Sequence, residues 1–133
     1  MVDILLDTSF LIEFSSKPIS GLDETEAKYG KIRFVVMEAV MQELRKLVSG
    51  SAGKRTRKAK MALDFASKQV IFDYNKGASV DDKLFNYASQ YPSAIATLDR
   101  KLAQKLRNSG LPILTLSKNR IKAEGVFTQA KPS

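Results

Sequence analysis

Three acidic residues each follow a short apolar run directly. Asp7 comes after Ile-Leu-Leu, Asp73 after Val-Ile-Phe, and Asp99 after Ala-Ile-Ala-Thr-Leu. If these runs are parallel strands, the acids lie at the carboxyl edge of the sheet, where α/β proteins build their sites. The spacing therefore predicts several carboxylates at one edge of the molecule.

Helical spacing gives a second criterion, because residues three or four apart share a helix face. Glu43 has Val40 three positions before it and Leu47 four positions after it, and Asp81 is followed at these distances by Leu84 and Phe85. Both acids therefore share a face with the apolar residues of a helix. The acids that meet this criterion, and that we predict as catalytic and metal-binding residues, are Asp7, Glu43, Asp81 and Asp99.

The neighbouring Asp82 is a weaker candidate than Asp81 but remains open. It has Phe85 at helical spacing, but then Asn86 and Ser89. Asp73 follows an apolar run without further support, so we expect a structural or exposed role for it.

Converging carboxylates repel one another and are costly at a buried edge unless they bind a cation. Oxygen ligands suit a hard divalent ion such as Mg²⁺ or Mn²⁺. The competing interpretation is that Asp7, Asp81 and Asp99 are helix N-caps, a position where Asp is common. Glu43 does not fit that interpretation, because it lies in the middle of a predicted helix.

The composition excludes several classes of enzyme. The chain has no cysteine and no histidine, which removes disulfides, thiolate chemistry, serine triads and imidazole-based RNA cleavage. Its 22 Lys and Arg exceed its 14 Asp and Glu, and the net charge of +8 favours a polyanionic partner. The cations cluster at Lys54, Arg55, Arg57, Lys58 and Lys60, at Arg100, Lys101, Lys105 and Arg107, and at Lys118, Arg120 and Lys122.

Strands alternate with helices along the chain, which predicts a three-layer α/β domain with a mostly parallel sheet of about five strands. We predict strands over residues 2–6, 32–37, 70–72, 94–98 and 112–116, and helices over 8–14, 38–48, 54–68, 81–91 and around 102–106. Residues 17–30 are predicted as a loop with one weak helix, and residues 49–53 as a turn. The domain is expected to span residues 1–122, with a partly loose tail over 123–133.

The order of these motifs resembles that of PIN-domain nucleases. The family has an acid and a hydroxyl residue after the first strand, a helical acid followed by Leu, an acid that opens a later helix, and T-x-D after the fourth strand. The resemblance covers about residues 2–122, through Asp7-Thr8-Ser9, Glu43-Leu44, Asp81 and Thr97-Leu98-Asp99.

This resemblance implies hydrolysis of an RNA phosphodiester with one or two Mg²⁺ or Mn²⁺ ions, leaving 5′-phosphate and 3′-hydroxyl ends. It makes Asp7, Asp81 and Asp99 metal ligands and Glu43 a ligand or a water-orienting base. Thr97 and Ser9 would hold the carboxylates by hydrogen bonds. The family tolerates a shift of one position at the third acid, which leaves Asp81 and Asp82 as alternatives.

Within the family, the sequence is more similar to the archaeal and eukaryotic endonucleases of ribosomal small-subunit maturation than to VapC-type toxins. The similarity lies in residues 39–47, 81–82, 95–107 and 112–120. The expected partner is RNA, such as a ribosomal RNA precursor; an antitoxin would follow only from the toxin alternative. A homodimer is an open alternative for the oligomeric state.

Two other functions are weighed against this one. A non-catalytic PIN-like RNA-binding module would not need all four acids. A phospho-acceptor receiver domain wants an adjacent acid pair after its first strand, where this chain has Asp7-Thr8. No apolar run is long enough to cross a membrane, and the first residues do not have the pattern of a signal peptide, so a cytoplasmic location is expected.

Overall fold

Six strands form one sheet in the computed structural model, which describes residues 1–50 and 53–128. In chain order the strands are β1 (Val2–Leu6), β2 (Ile32–Met37), β3 (Val70–Phe72), β4 (Ala94–Ala96), β5 (Ile113–Ser117) and β6 (Arg120–Glu124). Their order across the sheet is β3-β2-β1-β4-β5-β6. The first five strands are parallel to their neighbours and β6 is antiparallel to β5.

Six helices connect the strands within the described part of the chain. They are α1 (Thr8–Ser16), α2 (Leu22–Tyr29), α3 (Glu38–Val48), α4 (Lys54–Ser67), α5 (Val80–Gln90) and α6 (Arg100–Asn108). Of the predicted turn over residues 49–53, Ser51 and Ala52 lie outside the described residues. The same holds for residues 129–133 of the predicted tail.

The strand order reverses between β1 and β4. From β1 the chain moves outward to β2 and β3, then returns across the sheet to β4 and continues outward to β5. Because parallel crossovers are right-handed, α1, α3 and α4 cover one face of the sheet, whereas α5 and α6 cover the other. Helix α2 packs against β6 at the edge of the sheet. A crevice opens where the two directions part, at the carboxyl ends of β1 and β4, and this switch point is where such folds bind ligands.

The apolar sequence of the central strands explains why they lie in the middle. Ile4, Leu5 and Leu6 of β1 are fully buried, as are Ile95 and Ala96 of β4. Strands covered on both faces by helices lose the alternation of polar and apolar residues. The buried centre therefore fixes the register of β1 and β4, and with it the residues that follow them.

An aromatic cluster joins the helical layer to the sheet on the α1 side. Phe14 packs on Phe10, Phe34 and Phe65 with ring centroids 5.3 to 5.6 Å apart. These rings come from α1, β2 and α4, so their packing holds α4 against α1 and β2. In the described residues, no helix is long and apolar enough to cross a membrane.

The mostly parallel α/β sheet is confirmed, and the structure adds one strand to the prediction. Residues 112–116 were expected to hold the last strand, but β6 follows β5 after a two-residue turn at Lys118 and Asn119, both with positive φ. The weak helix expected within residues 17–30 is present as α2. Strand β4 ends at Ala96 rather than at residue 98.

Candidate active site

Asp7 lies directly after β1 and caps the start of α1. It is only 5% exposed. The amide of Thr8 donates a hydrogen bond to its Oδ1 at 2.9 Å, and the hydroxyls of Ser9 and Thr97 donate to its Oδ2 at 2.9 and 2.7 Å. A buried carboxylate is tolerated when donors surround it in this way. The contacts fix the orientation of Asp7 from both β1 and β4.

Asp99 follows β4 and caps α6. Its Oδ1 accepts hydrogen bonds from the amides of Lys101 and Leu102 at 2.8 and 3.1 Å. Its own amide donates to Thr97 Oγ1 at 3.1 Å. Thr97 therefore contacts both Asp7 and the backbone of Asp99, which ties the acids of the two central strands to each other.

Glu43 reaches the site from the second turn of α3, which begins directly after β2. The hydroxyl of Thr8 donates a hydrogen bond to Glu43 Oε1 at 2.6 Å. Since Thr8 directly follows Asp7, this contact places Glu43 beside the first acid. The helical spacing that predicted an inward-facing Glu43 is consistent with its partly buried position.

Asp81 lies in the first turn of α5, which is capped by Ser79 rather than by an acid. Burial raises the pKa of Asp81, and the negative charges of Asp7, Asp99 and Glu43 raise it further. An acid responds to its neighbours in this way only when they are close. Asp81 therefore lies near enough to the other three predicted acids for their charges to act on it.

The two other acids considered from the sequence lie differently. Asp82 Oδ1 is 3.6 Å from Lys105 Nζ, so its carboxylate is directed toward α6 and a cation. Asp73 is exposed and follows β3, the edge strand farthest from β4. The structure thus brings Asp81 toward the other acids and leaves Asp73 apart from them.

The capping interpretation holds for two of the acids. Asp7 and Asp99 do cap helices, whereas Asp81 and Glu43 do not. Capping uses Oδ1 of Asp99 and one contact of Asp7, and it does not explain why Glu43 and Asp81 converge on the same place. Helix capping therefore accounts for part of the geometry of the site and for none of its concentration of charge.

The site offers oxygen donors only, which suits a hard divalent cation. Among residues 1–50 and 53–128, no group of three or more acids is already arranged so that it could hold a metal ion. Metal binding here would therefore require carboxylates of the site to move closer together.

Cations lie beside this acidic centre. Arg100 and Lys101 follow Asp99 in the first turn of α6, and both are exposed. Lys105 lies one turn further along the same helix. Cations in this position have the chemistry to bind phosphates.

Thr8 is the site residue that the sequence interpretation missed. The motif Asp7-Thr8-Ser9 indicated a hydroxyl beside the first acid, and Ser9 and Thr97 were predicted to hold carboxylates. Both do so, on Asp7. The contact of Thr8 with Glu43 joins residues 35 positions apart, and only the position of α3 over α1 reveals it.

Comparisons with known proteins identify a family and similar solved structures. A profile of the PIN-like domain family matches residues 4–119. The solved structure of the PIN domain endonuclease Utp24 is similar over 96% of both chains, with 26% identity and a TM-score of 0.69. A domain of a functionally unknown protein from Methanocaldococcus jannaschii DSM 2661 shares the fold, with 14% identity, a TM-score of 0.59 and coverage of 96% of this chain and 100% of that one. A comparison with curated proteins found no match.

Proposed function

The chain belongs to the PIN-like domain family, and from that membership we propose that it is a metal-dependent endoribonuclease. The proposal is supported by the hydrogen bonds through which Thr97 joins Asp7 to the backbone of Asp99 and Thr8 binds Glu43, together with the raised pKa of Asp81. A protein that only bound RNA would gain nothing from concentrated negative charge, since the charge repels phosphate. A hydrolytic centre that uses divalent cations needs it.

Asp7, Asp81 and Asp99 would hold Mg²⁺ or Mn²⁺, and Glu43 would either complete the set or orient the attacking water. A divalent ion bound there would activate water and offset the charge that develops on the phosphate. The chain itself supplies the alignment: Ser9 and Thr97 hold Asp7, and Thr8 holds Glu43. The alternative with Asp82 as third ligand is less favourable, because Lys105 already pairs with it.

The proposed substrate is RNA, and a ribosomal RNA precursor is the first candidate. It is supported by the similarity to Utp24 at 26% identity over nearly the whole chain, together with the sequence resemblance to small-subunit maturation enzymes. A VapC-type toxin ribonuclease remains the alternative within the family. Cleavage of a small-subunit precursor transcript at one position, with an unrelated structured RNA left intact, would favour maturation, whereas cleavage of both would favour the alternative.

The activity itself is tested by Asp7→Asn, which removes one charge with little change in shape. We expect cleavage of RNA in Mn²⁺ or Mg²⁺ to be lost while the protein stays folded without metal, because the loss of one repelling charge offsets the hydrogen bonds that the amide group of Asn cannot accept. Asn also replaces Asp as a helix cap at little cost.

The matched control is Asp73→Asn, an exposed acid after the edge strand, which should cleave nearly as fast as the unchanged protein. Full activity of Asp7→Asn would refute the assignment of the centre. Cleavage that persists in excess EDTA would refute the metal dependence and favour a different nuclease contaminating the preparation.

A further inference from the structure

An open groove of about 490 Å³ lies on the outer side of α5, between that helix and the segment after β3. Tyr74 and Phe85 contribute aromatic rings to it, and Lys76 contributes an exposed cation. The residues that line it are Tyr74, Lys76, Phe85, Asn86, Ser89 and Gln90.

The groove is held in shape by contacts across it. The hydroxyl of Tyr74 donates to Gln90 Oε1 at 3.1 Å, and the amide of the Asn86 side chain donates to the carbonyl of Lys76 at 2.7 Å. Gly77 packs so closely on α5 that a Cβ there would lie 2.7 Å from the amide nitrogen of Lys83. The segment after β3 therefore has a fixed position, and the groove needs little reorganisation to bind a ligand.

The groove lies further along α5 than the acidic centre. Phe85, Asn86 and Ser89 are at helical spacing from Asp82, so the groove is on the side of α5 that carries Asp82, and Phe85 is four residues after Asp81. The rise of a helix puts the groove roughly 6 to 12 Å along the axis from Asp81. Lys105 contacts both Asp82, which follows Asp81, and Phe85 of the groove. Its Nζ lies 3.6 Å from Asp82 Oδ1 and 4.3 Å from the centroid of the Phe85 ring.

We propose that this groove binds one unpaired nucleobase of an RNA strand whose neighbouring phosphate lies at the acidic centre. The proposal rests on the ribonuclease function proposed above and adds a subsite for single-stranded substrate. Aromatic rings bind bases by stacking, and bases are available for stacking only where the strand is unpaired. Lys76 and Lys105 would contact the phosphates on either side.

The polar side chains of the groove suit the edge of a base. Asn86 uses its amide nitrogen and Gln90 its amide oxygen in contacts within the protein. The other end of each amide, one acceptor and one donor, has the chemistry to pair with a base edge. An aliphatic ligand would use neither these groups nor the cations, which is why a nucleotide fits the groove better.

The first test uses the absence of tryptophan from the chain. Phe85→Trp places a single indole in the groove, and stacking of a base on it should quench its fluorescence. The titration is done in EDTA with an eight-nucleotide single-stranded RNA, so that no cleavage occurs. We expect saturable quenching by this RNA, and little by the same strand in a duplex or by heparin, a polyanion without bases.

The second test measures affinity by fluorescence anisotropy under the same metal-free conditions. Phe85→Leu keeps an apolar side chain but removes the ring, and we expect it to weaken binding of single-stranded RNA roughly ten-fold. Because stacking is uncharged, the dependence of affinity on salt should not change. Tyr91→Leu is the matched control: it removes an exposed ring at the end of the same helix that lies outside the groove, and affinity should stay the same.

Tyr74→Leu provides an independent removal of a ring if Phe85→Leu melts at a lower temperature. Unchanged affinity in folded Phe85→Leu and Tyr74→Leu, or an equal loss for duplex RNA, would overturn the proposal. So would quenching by heparin as strong as that by RNA. Because these assays use no metal, they separate the two ideas: loss of cleavage in Asp7→Asn tests the nuclease, whereas the groove variants test the base-binding site.

Discussion

At the scale of the residue, Asp81 shows that bringing carboxylates together at the site costs free energy of folding. Its pKa is raised by burial and by four neighbouring carboxylates, so folding disfavours its charged form. An acid whose pKa is raised on folding contributes most to stability when it is protonated, and that contribution disappears as the pH rises through the raised pKa. At neutral pH without metal, ionised Asp81 therefore lowers the free energy of unfolding.

We predict that Asp81→Asn raises the melting temperature without metal at pH 7 and abolishes metal-dependent cleavage. The gain in melting temperature should shrink as the pH is lowered toward the ordinary carboxyl range near about 4, where Asp81 is protonated anyway. Calorimetry over a pH series and a cleavage assay measure the two effects. Asp73→Asn is the control: it removes an exposed acid that does not raise the pKa of Asp81 and should bring no gain. Equal stabilisation by both variants would contradict the placement of Asp81 among the acids.

Thr8 gives a second prediction at this scale. Thr8→Val keeps the shape of the side chain and removes the donor to Glu43 Oε1, a hydrogen bond to a charged group worth about 1.5–3 kcal/mol. If Glu43 acts in cleavage, the rate should fall by roughly 10- to 100-fold. Thr8→Ser restores the donor and should recover most of the rate. A rate unchanged in Thr8→Val would show that Glu43 does not need this hydrogen bond.

The candidate acids could be predicted from sequence because their signals are local. Asp7 and Asp99 end strands, and Glu43 and Asp81 have apolar residues at helical spacing. What the sequence left open depends on distant contacts. Asp81 could be preferred to Asp82 by periodicity, but the ion pair that draws Asp82 away involves Lys105, on another helix.

At the scale of the element, the strands with apolar sequences were predicted closely and the polar strand was missed. Strands β1, β2 and β3 have the predicted bounds. Strand β6 alternates Arg120, Lys122 and Glu124 with Ile121 and Ala123, a composition that also suits a surface loop. Its turn, at Lys118 and Asn119, adopts positive φ without the glycine that usually announces a tight hairpin. The pairing with β5, rather than any local preference, makes it a strand.

Gly77 yields the prediction at this scale. Its φ is +150°, and a Cβ would lie 2.7 Å from the amide nitrogen of Lys83 in the first turns of α5. We predict that Gly77→Ala destabilises the fold by about 1–3 kcal/mol and shifts the helix that carries Asp81, so that cleavage falls as well. Denaturant unfolding and cleavage rates measure the two effects. Gly110→Ala is the control, because Gly110 also has positive φ but nothing lies within 4 Å of its Cβ position. Equal effects of the two variants would refute the close approach to α5.

At the scale of the whole molecule, cations lie near the acidic centre, at the same edge of the sheet. The acids converge at the switch point, although the chain as a whole carries a net charge of +8. Helix α4 ends at Ser67, shortly before β3 begins at the amino edge of the sheet, so its Lys54 end is directed to the carboxyl edge. The fold class could be predicted from the alternation of strands and helices. The position of the cationic end of α4 at the same edge as the acids could not be predicted, because it depends on how the helices cross between the strands.

The arrangement predicts that the start of α4 binds RNA phosphates and that cations at the opposite edge do not. Neutralising Lys54, Arg55 and Arg57 to Gln should flatten the dependence of log affinity on log salt by about 2, because each phosphate of a single strand that a cation neutralises adds roughly 0.7 to the slope. Lys58 is left unchanged because it lies 3.5 Å from Glu13 Oε1 and helps to fix α4.

The control neutralises Lys28, Lys31 and Lys68, exposed cations near the amino ends of β2 and β3. It removes the same charge from the molecule but no predicted phosphate-binding group, so the slope should not change. Equal flattening in both triple variants would mean that RNA responds to net charge alone, and an unchanged slope in the first would make the start of α4 a solvated helix face.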